Sequence, residues 1–142
     1  MQVEVGAVIL WHNFPNPQFG GKPKPRLFLS LGFTGPGVQP RLCYLHTTTR
    51  TRRNQVHFFI SCTKYGFFDH DCYLYFNEPP YPRQENEINS HRDICAVGKI
   101  DKLDMKAIYE GIRQSRVYSL MQKMDIRYSL NLAGITGLRS PA

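Results

Sequence analysis

The first hundred residues break into short runs of β-branched and aromatic residues, each closed by proline, glycine or a polar turn, and only beyond Asp101 does the apolar spacing become helical. Residues 3–14 (VEVGAVILWHNF) stop at Pro15-Asn16-Pro17, where proline cannot donate to a strand ladder. Further strands are predicted at 26–31 (RLFLSL), 41–49 (RLCYLHTTT), 56–63 (VHFFISCT), 71–77 (DCYLYFN) and 92–99 (RDICAVGK). The loops between the first five are too short to hold crossover helices, so the pairing is expected to be antiparallel. The segments 15–25, 32–40 and 79–89 read as exposed connections. After residue 100, Leu103, Ala107 and Gly111 recur at helical spacing beside Met105, Ile108 and Ile112, with Asp104 placed as an N-cap. Val117, Leu120, Met121 and Met124 at i, i+3, i+4 and i+7 extend that helix or begin a second. Beyond Asp125 the pattern fades: IRYSLNLAG reads as a strand or an extended tail, and 134–142 as a frayed terminus.

These elements specify an α+β, mostly β protein in which a small antiparallel β-barrel or strongly bent sheet is closed by a C-terminal helix or helices. At 142 residues a single domain is expected, with a β core over 4–100, a helical region over 103–124 and a tail over 125–142. No glycine-rich phosphate loop, H-E-x-x-H or G-x-S-x-G is present, and no cofactor is expected. Cys43, Cys62, Cys72 and Cys95 form no C-x-x-C pair and read as reduced thiols, so no metal site is expected either. No apolar run approaches the ~18 residues of a membrane span, and Met1-Gln2-Val3-Glu4-Val5 lacks a basic stretch ahead of an apolar one. A soluble cytoplasmic protein is expected.

Eighteen Lys and Arg against eleven Asp and Glu give a formal charge of +7, a balance that attracts phosphate backbones or acidic partner segments. The positive groups concentrate in two places. Lys22 and Lys24 precede Arg26, which opens the second strand and offers the fixed donor fork that suits a phosphate. The other concentration is His46-Thr47-Thr48-Thr49-Arg50-Thr51-Arg52-Arg53, where alternation sets His46, Thr48 and Arg50 on one face. Imidazole, hydroxyl and guanidinium together can polarise a phosphate and move a proton. The same stretch also reads as a threonine-rich strand ending in a basic turn. Among Tyr65, Phe67, Phe68, Tyr73, Tyr75 and Phe76, some are expected in the core and some as stacking surfaces for unpaired bases, with Lys64 beside Tyr65 and His12 beside the first loop. Asp69-His70-Asp71 reads as a polar turn.

Over roughly residues 4–116 the order of elements resembles the MazF/PemK-type toxins of bacterial toxin–antitoxin systems. The likeness rests on Gly6-Ala7-Val8-Ile9-Leu10-Trp11, Phe19-Gly20-Gly21, Lys24-Pro25-Arg26-Leu27-Phe28-Leu29-Ser30, Cys43-Tyr44-Leu45-His46-Thr47-Thr48, Lys64-Tyr65-Gly66-Phe67, and Val97-Gly98-Lys99-Ile100-Asp101-Lys102-Leu103. The resemblance implies an SH3-like barrel, a homodimer, an acidic antitoxin partner, and cleavage of single-stranded RNA by its own 2′-OH without metal. It implies catalytic roles for Arg26 and for Thr47 or Thr48, with His46 as an added base; Lys22, Lys24, Arg50, Arg52, Arg53, His12, Lys64 and Tyr65 would then contact RNA. The family commonly reads Arg-Pro where this chain reads Pro25-Arg26. The segment 79–89 and the tail after Arg116 depart from it as well. A non-catalytic binding module of the same fold and a gyrase-poisoning member of the superfamily are the alternatives.

Overall fold

The computed structural model describes residues 4–14, 24–34, 39–47, 56–82 and 93–141. Its strands are β1 (Ala7–Phe14), β2 (Lys24–Thr34), β3 (Gln39–Leu45), β4 (His57–Ile60), β5 (Cys72–Tyr75), β6 (Tyr81–Pro82) and β7 (Ile94–Lys99), followed by helices α1 (Lys102–Gln114) and α2 (Leu120–Leu132). Five strands form one antiparallel sheet in the order β6-β3-β2-β1-β7, and β4-β5 form a separate hairpin. Among the described residues a single bridge, His46 to Tyr73, ties the hairpin to the end of β3. The protein is thus α+β and mostly β with C-terminal helices, as its periodicity predicts. The expected barrel closure is not found: among the described residues the ladders leave an open sheet beside a hairpin.

Register explains why the strands read as nearly continuous apolar runs. Val8 pairs with Leu29 and Leu29 with Cys43, while Ile9 pairs with Phe28 and Phe28 with Tyr44. The first row belongs to a core shared with the helices, the second to another core with Trp11, Phe14, Leu42 and Ile94. Burial on both faces removes the polar alternation of a half-exposed strand. Each fully buried Phe28, Leu29 or Leu31 contributes about 1.5–3 kcal/mol.

The C-terminal third departs most from expectation. Asp101, not Asp104, caps α1: its carboxylate accepts from Asp104 N at 2.8 Å. Leu103 is exposed, and α1 buries Met105, Ile108, Tyr109 and Ile112. The second helix is separate, starts from a Ser119–Gln122 capping box and runs to Leu132, through residues expected to be strand or tail. It buries Ile126, Ser129 and Leu130 and leaves Leu120, Met121 and Met124 exposed, opposite to the expected face. Nor is the terminus frayed over its described part. Ile135 and Leu138 are buried, Tyr109 Oη donates to the Arg139 carbonyl at 2.6 Å, and Arg127 Nε donates to that of Leu138 at 3.2 Å. The connection after Pro79 contains β6, which pairs with Arg41 and Leu42 of β3.

Candidate nucleic-acid interface

A cleft of about 240 Å³ opens where β2 begins and β3 ends. Arg26 and Thr47, twenty-one positions apart in sequence, both line it, because antiparallel pairing of Leu27 with Leu45 brings those strand ends side by side. Its walls are Leu10, Leu27, Tyr44, Leu45 and Val97, and its far side is Phe67, Phe68, Asp69 and His70 from the bend between β4 and β5. Arg26 is half-buried and its Nη1 donates to the Pro25 carbonyl at 2.9 Å; Thr47 is exposed. Arg26, Thr47 and His70 thus border one concavity, and guanidinium, hydroxyl and imidazole are groups that suit a phosphate.

The bend that carries His70 is held by α1. Lys64 Nζ lies 2.8 Å from Asp104 and 3.0 Å from Asp101, and the buried Tyr65 donates its hydroxyl to Asp104 Oδ2 at 2.5 Å while accepting from Asp101 N at 3.2 Å. Burial, followed by the bond to Asp104, pushes the Tyr65 hydroxyl up to about 12, and the bonds to Asp104 and Asp101 raise the Lys64 ammonium. At its other end Asp71 accepts from Cys62 N at 3.0 Å, which holds its carboxyl below the usual range. Gly98 of β7 lies so close under the ring of Phe67 that an added Cβ would stand 2.2 Å from it, so the cleft wall requires glycine there. Lys64 and Tyr65, candidate RNA contacts by sequence, therefore anchor the bend and are absent from the cleft lining.

The remaining candidates fall in several places. His46 lies beyond the Phe28–Tyr44 row, its Nε2 donating to the Glu78 carboxylate at 2.7 Å, and it is not part of the cleft lining. His12 is exposed at the far end of β1, its backbone N–H donating to the Asp93 carbonyl at 3.0 Å. Lys24 opens β2, paired with Phe14. Lys22, Thr48, Arg50, Arg52 and Arg53 lie outside the described residues. His70 and Asp69, read in the sequence as a polar turn, are the additions; the two strands that flank them are legible locally, but the docking of their bend beside the ends of β2 and β3 is not.

Beside the cleft runs a row of rings. Tyr44 and His46 stand 4.4 Å apart, His46 and Tyr75 4.9 Å, Tyr75 and His57 5.6 Å, His57 and Tyr73 5.5 Å, and Tyr73 and Phe59 5.5 Å, measured between ring centres. Its outer end is open, with Phe59 48% exposed. No cysteine is among the described residues that line the cleft, and burial pushes the Cys43 thiol up to about 12 and the Cys72 thiol up to about 11. Among the described residues no three of His, Cys, Asp or Glu converge as metal ligands. No helix among them is long and apolar enough to cross a membrane. Compared with known protein families, curated proteins and solved structures, the chain matches none of them.

Proposed function

We propose that the chain is a metal-independent endoribonuclease of the MazF/PemK type, the toxin of a type II toxin–antitoxin pair, acting on single-stranded RNA in the cytoplasm. The observation that carries this reading is that Arg26 and Thr47 both line one cleft. The substrate's 2′-oxygen attacks the adjacent phosphorus, charge builds on the non-bridging oxygens, and the bond to the 5′-oxygen breaks. Arg26 faces that charge with a guanidinium, and Thr47 donates its hydroxyl to a non-bridging oxygen. Donors fixed where charge develops are each worth roughly 10²–10³ in rate. The same proposal includes an SH3-like arrangement of sheet and hairpin, left open among the described residues, for which the His46–Tyr73 bridge is the support. It also includes a homodimer and an acidic antitoxin whose segment competes with RNA for the cleft.

Arg26→Ala is expected to lower cleavage of a labelled single-stranded RNA in EDTA by about 10²–10³, and Thr47→Ala to lower it less. Equal cleavage by the unaltered chain and Arg26→Ala contradicts the assignment. The exposed end of the ring row favours a second reading, a module that holds unpaired bases without turnover. RNA that is bound tightly at low salt, released steeply as salt rises and recovered intact would establish that reading instead.

A further inference from the structure

We infer that His70 accepts the proton of the attacking 2′-hydroxyl, a role that rests on the ribonuclease reading. Transesterification leaves that proton to be removed as the 2′-oxygen bonds to phosphorus, and neither a guanidinium nor a threonine hydroxyl is suited to take it near neutral pH. His46 is the imidazole the sequence draws attention to, but it lies outside the cleft against Glu78. Among the described residues, His70 is the only histidine that lines the cleft. Its side chain is exposed, so it can meet a substrate without rearrangement of the core.

Its position is fixed from both sides. The Tyr65 and Lys64 contacts with Asp101 and Asp104 hold the start of the bend on α1, and Asp71, accepting from Cys62 N, holds the end. The ionisable groups that share the cleft with His70 are Arg26 from β2, Tyr44 from β3 and Asp69 from its own bend, with Asp71 next to it in sequence. The bend that carries His70 borders the same cleft as Arg26 and Thr47, so a phosphodiester bound there lies beside the imidazole. The step balances simply: the 2′-oxygen gives its proton to the imidazole as the P–O2′ bond forms, the P–O5′ bond breaks, and the departing 5′-oxygen takes a proton from water. The imidazolium then returns its proton to solvent through the open mouth of the cleft.

The test measures kcat, KM and their pH dependence on one RNA oligonucleotide in EDTA for the unaltered chain, His70→Gln and His70→Ala. His70→Gln is expected to lower kcat by about 10²–10⁴-fold with little change in KM, and to change the shape of the pH profile. His70→Ala is expected to regain activity when imidazole is added. Unchanged kcat and an unchanged pH profile in His70→Gln overturn the role of His70 while leaving the ribonuclease reading standing. Low activity in His70→Ala that imidazole does not raise also overturns it. No cleavage by the unaltered chain removes the ribonuclease reading, and the role of His70 with it.

Discussion

Acidic side chains do two different jobs in this basic chain. Asp69 lies in the cleft, whereas Asp71, Asp101 and Glu110 act as fasteners whose carboxyls are held below their usual range. For Asp101 the main cause is the Asp104 N–H, followed by Lys64; for Glu110 it is the bond to Arg113, which takes the carboxyl from 4.5 to about 2. A carboxylate whose folded value is depressed stabilises the fold above its unfolded value and loses that contribution as pH falls through the folded one. The urea midpoint, followed by fluorescence of the single, buried Trp11, is therefore expected to fall between pH 5 and pH ~2. Glu110→Gln should fall less over the same window. A midpoint that stays level across that range in the unaltered chain would mean these carboxylates do not fasten the fold.

At the scale of elements, α2 carries the sharpest difference between pattern and packing. Val117, Leu120, Met121 and Met124 make the better helical repeat, yet Ile126 and Leu130 enter the core and Met121 is 74% exposed. Ile126→Ala is expected to cost about 2–5 kcal/mol in chemical unfolding, and Met121→Lys to stay within about 0.5 kcal/mol. The reverse order would mean that the helix is rotated. The strands were legible because proline and glycine end them and because two-sided burial leaves dense apolar runs such as Ala7–Trp11. The α2 face was not, since a helix of mixed apolar character is oriented by what β2 offers it rather than by its own periodicity. The same holds for the site. Arg26 and Thr47 could be named from the strand ends that carry them, but His70 enters the cleft through a hairpin pairing and an α1 contact that involve residues up to forty positions away in sequence.

For the whole molecule, the net charge of +7 now has an address for part of it. Arg26 lies at a cleft where two strand ends meet, while Lys64, Lys99 and Arg113 are engaged with acidic neighbours and serve the fold. Sequence charge alone predicts a polyanionic partner and does not separate a substrate from an acidic inhibitor, because both are drawn by the same field. Chemistry separates them. The most direct measurement is mass spectrometry of the products formed from a single-stranded RNA oligonucleotide in EDTA, beside the same sequence carrying 2′-O-methyl groups throughout. Fragments ending in a 2′,3′-cyclic phosphate and beginning with a 5′-hydroxyl, with the methylated strand left whole, are the expected result. An intact RNA, fragments beginning with a 5′-phosphate, or cleavage of the methylated strand would contradict it.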